Sequence, residues 1–208
     1  MAGEGRLGRR LVTLYTGLVL LGSSLAWMVR ANLGLSPWDV LHQGVADHTG
    51  LSFGTVVIVV GGAVMLAWIP LRQVPGLGTI SNAIVVGLAA DATLALLPEP
   101  SNLGVRSALL VAGVIANGFA TSLYICARFG SGPRDGVMTG LADRGMSIRV
   151  VRTAIELGAL SGGLLLGGTV GLGTVMFALA IGPLVHFFLP RLTVPTAAVD
   201  LTASPADC

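Results

Sequence analysis

Apolar residues along this chain gather into six runs, and the segments between them hold most of its charge. The runs cover about residues 11–29, 53–70, 79–97, 107–127, 153–168 and 174–190. A hydrocarbon core of about 30 Å asks for about 20 mostly apolar residues, and fewer where a span is short, so each run predicts a membrane-spanning helix. Runs two and five are short and rich in glycine, with Gly61 and Gly62 in one and Gly158, Gly162 and Gly163 in the other. Such residues let neighbouring helices approach closely in lipid. The first run, behind Arg6, Arg9 and Arg10, has the outline of a secretory signal, but it has a partner in the second half of the chain, which argues for a retained span.

That partnership is a repeat. Leu33-Gly34-Leu35-Ser36-Pro37-Trp38-Asp39 is echoed by Phe129-Gly130-Ser131-Gly132-Pro133-Arg134-Asp135 at an offset of 96. Gly17 and Gly113, Gly22 and Gly118, and Gly44 and Gly140 keep the same offset. After one deletion the offset becomes 95, which lays Gly76-Leu77-Gly78-Thr79 on Gly171-Leu172-Gly173-Thr174. The chain therefore reads as two copies of one unit: a cytoplasmic N-terminal tail at 1–10, membrane repeat 1 at 11–98, membrane repeat 2 at 99–190, and a disordered cytoplasmic tail at 191–208, polar and with two prolines beyond Thr193.

Composition agrees with the runs. With 53% hydrophobic and 11% charged residues, the chain has too little charge to cover a water-facing surface. All twelve basic residues are arginine, and none forms a nucleic-acid patch. Cys126 and Cys208 lack the number and spacing for a metal site or a disulfide framework. No metal, cofactor or enzymatic activity is expected, since no nucleophile elbow, phosphate-cradling loop or intramembrane protease pattern occurs. His42, Gln43, Asp47 and His48 resemble a metal cluster in composition alone, because positions 42 and 48 project to different faces of a helix.

With the N-terminus placed inside, ten arginines lie on the cytoplasmic side and only Arg30 and Arg106 outside, which predicts a multi-pass protein of the bacterial inner membrane with both termini cytoplasmic. Three spans per copy is odd, so the second copy enters from the opposite face. The expected fold is all-α, six transmembrane helices as two inverted three-helix repeats, each with a short half-helix after its first span. That arrangement characterises secondary transporters whose sites lie where the repeats meet.

Candidate chemistry sits at the half-helices. Ser36 is a good N-cap, Pro37 suits the first helical position and Asp39 can reach back to free amides, so a helix over 37–47 is predicted, with a sibling over 133–143. Two readings are open: helices lying on the surface, or re-entrant half-helices with their positive amino ends exposed to a cavity. Under the second, Ser36, Pro37, Asp39, Pro133 and Asp135 bind the solute. Asp91 and His186, 95 apart in the chain and buried in apolar runs, are candidates for proton coupling; the alternative is a solvated Asp91 and an interfacial His186. Glu156 is four residues beyond Arg152, the spacing of a helical ion pair. Asn117 and Asn82 read as helix-to-helix hydrogen bonds, and Thr79 and Thr174 as caps of the spans that follow.

The Gly34-Leu35-Ser36-Pro37-Trp38-Asp39 motif, the Gly-Leu-Gly-Thr turn at 76–79 and their degenerate second copy resemble the YczE-type bacterial integral membrane proteins, distantly akin to the YitT group. The resemblance covers about residues 11–190. It implies a polytopic inner-membrane protein connected with transport or with support of secondary-metabolite production. The second copy departs from the motif at Gly132 and Arg134, which breaks strict symmetry between the copies. The expected function is a small secondary transporter or exporter working by alternating access, with the lipid bilayer, a small solute or a proton, and a second copy in a homodimer as partners. The alternative is a non-transporting scaffold or regulatory protein that docks through the segment 128–152.

Overall fold

The computed structural model describes the backbone of residues 2–192 and the side chains of residues 7–192. The expected disorder of the C-terminal tail, and Cys208, lie outside these described residues. Nine helices and no strand occur among them: α1 (Ala2–Ala31), α2 (Pro37–Thr49), α3 (Phe53–Leu66), α4 (Trp68–Leu71), α5 (Leu77–Leu96), α6 (Leu103–Ala127), α7 (Pro133–Ala142), α8 (Ile148–Leu165) and α9 (Leu172–Leu192).

Five segments are long and apolar enough to cross a membrane: Leu7–Ala31, Phe53–Leu71, Leu77–Leu96, Leu103–Ala127 and Leu172–Leu192. They account for five of the six expected spans, with the first and fourth beginning about one turn earlier than the apolar runs suggest. Arginine stems explain this, since Arg10 reaches the carbonyls of Ala127 and Arg128, and Arg106 reaches those of Ala31 and Asn32. The second span is interrupted at Ala67, where α3 gives way to the single turn of α4. The expected fifth span is α8, displaced toward the N-terminus and carrying Arg149, Arg152 and Glu156 over its 18 residues.

α1 is the hub. It packs against α6 and α5, and α6 in turn packs against α9. α2 lies on α8, α7 on α3 and α8, and α3 on α5. One apolar core gathers Leu14, Leu18, Leu25, Val86 and Tyr124; a second gathers Met28, Leu35, Val40, Leu110 and Val114. Small residues set the distances between helices. A Cβ on Gly17 would lie 3.2 Å from the Ala120 carbonyl oxygen, and one on Gly113 would lie 3.1 Å from that of Ser24. Along the same contact, Asn117 Nδ2 donates to Ser24 Oγ at 3.0 Å, the helix-to-helix bond expected of that asparagine.

The two short helices form as the cap pattern predicts, over slightly different lengths. α2 runs two residues past 47 to Thr49 and ends on Gly50 in the left-handed conformation. α7 stops at Ala142. Both are preceded by a glycine at strongly positive φ, +113° at Gly34 and +118° at Gly130, a region closed to most side chains. That turn folds each motif back toward the interior. The Gly-Leu-Gly-Thr turns differ from expectation in detail. The helices begin at Leu77 and Leu172, and the threonines cap them from inside the first turn, Thr79 and Thr174 accepting hydrogen bonds from the N–H groups of Gly76 and Gly171.

Candidate functional site

The amino ends of α2 and α7 open on one cavity of about 160 Å³. Ser36, Pro37 and Asp39 line it from one side, and Pro133 and Asp135 from the other. Its walls are completed by Leu21 and Leu25 of α1, Asn82 of α5, Asn117, Thr121 and Tyr124 of α6, Arg152 and Glu156 of α8, and Phe177 and Ile181 of α9. The five residues named as solute-binding candidates thus come together. Asp91 and His186 do not join them.

Each half-helix start is built locally. Ser36 holds an extended conformation, and its Oγ accepts from the Asp39 N–H at 3.3 Å while donating to Asp39 Oδ2 at 2.5 Å. Asp39 is 1% exposed, and its Oδ1 lies 3.3 Å from His42 Nδ1. His42, 3% exposed, stands edge-on to Phe53 at 6.1 Å between ring centres. α2 lies outside the five spans. There burial pushes the Asp39 carboxyl up, but the His42 bond, the charges of His42 and Arg134 and the Ser36 bond outweigh it and hold the group below its ordinary range. Burial pushes His42 down against the pull of Asp39. Within the pair Nδ1–H is the donor and Asp39 Oδ1 the acceptor.

α7 starts differently. Gly132 supplies no side-chain cap, and Asp135 is exposed where Asp39 is sealed. The start is instead held from outside: Trp68 Nε1 donates to the Pro133 carbonyl at 2.9 Å, and Thr79 Oγ1 donates to that of Ser131 at 2.7 Å. The Arg134 guanidinium lies over the Trp38 ring at 5.2 Å, so the residues that differ between the two motifs meet across the cavity. On the α8 wall Arg152 Nε pairs with Glu156 Oε1 at 3.0 Å, as the four-residue spacing predicts.

Asp91 has a different position. It accepts from Ser52 Oγ at 2.5 Å and from the Gly54 N–H at 2.6 Å, tying the end of α5 to the first turn of α3. His186 is exposed on α9. His48 Nδ1 lies 3.0 Å from the Gly44 carbonyl rather than beside His42, and no group of His, Cys, Asp and Glu among the described residues could hold a metal ion.

Two contributors escaped the sequence reading. His42 is the buried partner of Asp39, and the three-residue spacing between them on one helix was the available signal. Trp38 lines the cavity through a residue type that reads as an interfacial anchor.

The chain matches, over residues 8–190, a family described as a family of unknown function, DUF6198. It is 43% identical over 173 residues to an uncharacterized protein of Haemophilus influenzae, covering 83% of this chain and 79% of that one. It is 30% identical over 181 residues to the uncharacterized membrane protein YczE of Bacillus subtilis, covering 85% and 84%. To YyaS, an uncharacterized protein of the same bacterium, it is 25% identical over 84% of this chain and 89% of that one. No solved structure matches.

Proposed function

The chain belongs to the DUF6198 family, and from its geometry we propose a small secondary transporter or exporter in which two inverted repeats enclose one solute cavity. The observation that carries this reading is the composition of the cavity wall. Most of its residues fall into pairs at the repeat offsets, Leu21 with Asn117, Leu25 with Thr121, Asn82 with Phe177, and Ser36 through Asp39 with Gly132 through Asp135, while Tyr124, Met138, Arg152, Glu156 and Ile181 have no partner on the wall. A cavity lined by both members of each pair is what a twofold axis through it produces.

Packing supports the same axis. A Cβ on Gly44 would lie 2.7 Å from Leu166 Cβ, and one on Gly140 would lie 3.0 Å from Leu71 Cβ, the corresponding pair. Likewise Gly22 faces Ala89 while Gly118 faces Leu184. These two contacts of one copy are returned by the other. α8 serves as the sixth span: its 18 residues are about 27 Å long at about 1.5 Å per residue, and its Arg152–Glu156 pair faces the cavity, where charge in a membrane is tolerated. In alternating access the two repeats rock about this site. In this reading both termini lie in the cytoplasm of a bacterial cell, which the arginine distribution supports, and the sparsely buried face of α9 suits lipid or a second copy.

One observation favours a non-transporting scaffold or regulatory protein instead: Asp91 and His186 stand away from the cavity, so the coupling pair is not assembled around the solute site. Two-sided labelling separates the readings. With Cys126→Ala and Cys208→Ala as background, Asn82→Cys and Thr121→Cys are treated with a membrane-impermeant thiol reagent from each side. Labelling of both positions from both sides supports transport. Access from one side only, or none, supports a static core.

A further inference from the structure

Two of the three carboxylates on the cavity wall are occupied, while two of its strongest donors are not. Asp39 accepts from Ser36 Oγ and faces His42 Nδ1, and Glu156 Oε1 accepts from Arg152. By contrast, Trp38 Nε1 is buried without a hydrogen-bond partner among the described residues, and an unmet buried donor costs free energy until something fills it. The Arg134 guanidinium beside it lies over the Trp38 ring and has no hydrogen-bond acceptor among the described residues. Arginine's planar fork of donors matches a carboxylate in two-point geometry. Asp135 is the one carboxylate of the wall with neither a hydrogen bond nor an ion pair among the described residues; it is exposed, one residue beyond Arg134.

We infer that the cavity binds a small carboxylate-bearing solute, with the carboxylate held between the Arg134 guanidinium and the Trp38 indole N–H. The volume of about 160 Å³ restricts it to a molecule of a few heavy atoms. The substitution of tryptophan by arginine between the two motifs then has a use, because the twofold-related positions supply complementary halves of one recognition unit. Asp39, sealed by its own helix, holds Trp38 in place by fixing the start of α2. The inference rests on the cavity being a solute site but not on alternating access.

The test is isothermal titration calorimetry on the full chain in detergent at constant ionic strength, with sodium propionate, L-alanine and propylamine hydrochloride as probes. Propionate and alanine bind saturably and propylamine does not. Alanine binding more tightly than propionate assigns Asp135 to an ammonium group; equal or weaker binding assigns a plain carboxylate, and both outcomes agree with the inference. Arg134→Gln and Trp38→Phe each weaken binding about tenfold or more, the scale of losing one hydrogen bond involving a charged group. Should Arg134→Gln elute as an aggregate, Arg134→Lys is used, which keeps the charge, loses the fork and also weakens binding. The inference is overturned if propionate and alanine show no saturable heat, if propylamine alone binds, or if the folded Arg134 and Trp38 variants bind like wild type. Carboxylate binding without two-sided labelling would sustain this inference and overturn transport.

Discussion

The backbone N–H of Gly78 donates to the carbonyl of Phe129 at 2.8 Å, and Gly173 makes the matching bond to Leu33 at the same length. Each Gly-Leu-Gly-Thr turn thus clasps the motif of the other half of the chain. A Cβ on Gly171 would lie 2.6 Å from the Leu33 oxygen, and one on Gly76 would strike the Phe129 oxygen. Gly76→Ala and Gly171→Ala are therefore each expected to lose about 1–3 kcal/mol, as overpacking does. Gly62 and Gly158 face open space, and their alanine variants should be as stable as wild type or more so. Thermal unfolding in detergent, followed by helical circular dichroism, compares the four.

Ser36 and Gly132 occupy the same place before α2 and α7, yet only Ser36 makes a side-chain cap. Ser36→Ala removes that cap and one partner of a buried carboxylate, so a loss of about 1–2 kcal/mol is expected. Denaturation in mixed micelles measures it. A change of only a few tenths of a kcal/mol, the scale of a substitution to glycine, would mean that α2 is held by its packing on α8 alone.

Asp91 and His186 should separate in the same assay. Asp91→Ala leaves the Gly54 N–H without its acceptor, while the Ser52 hydroxyl keeps Thr55 Oγ1, and is expected to cost about 1–3 kcal/mol. His186 is exposed on α9, so His186→Ala should stay within about 0.5 kcal/mol of wild type. Equal losses would show that His186 has a structural partner.

The half-helices were legible because proline, serine and glycine make positional demands that survive without any knowledge of the fold, whereas the meeting of their starts was not, since a surface-lying and a re-entrant course satisfy the same cap pattern. The Arg152–Glu156 pair was legible for the same reason, being local to one helix. Its place on the cavity wall was not, since that depends on where α8 packs. Pairing Asp91 with His186 by offset fails to bring them together for a geometric reason. Under the proposed twofold axis equivalent positions touch only near that axis, and these two do not line the cavity, Asp91 standing beside Ser52 and His186 exposed on α9. Ser36 and Gly132 both line the cavity. The position of Trp38 opposite Arg134 was hidden because Arg134 looked like a departure from the motif that holds Trp38 rather than half of a contact with it.

The central claim is that the two halves run through the membrane in opposite senses, and Leu51 and Met146 test it most directly. They occupy equivalent positions after α2 and α7, 95 residues apart, and are 47% and 45% exposed. Leu51→Cys and Met146→Cys are made singly without the native cysteines and treated with an impermeant maleimide, on intact cells and on inverted vesicles. Inverted repeats predict that Leu51→Cys reacts only in cells and Met146→Cys only in inverted vesicles. Reaction of both from the same side would contradict the account, because copies of the same orientation cannot be related by a twofold axis in the membrane plane.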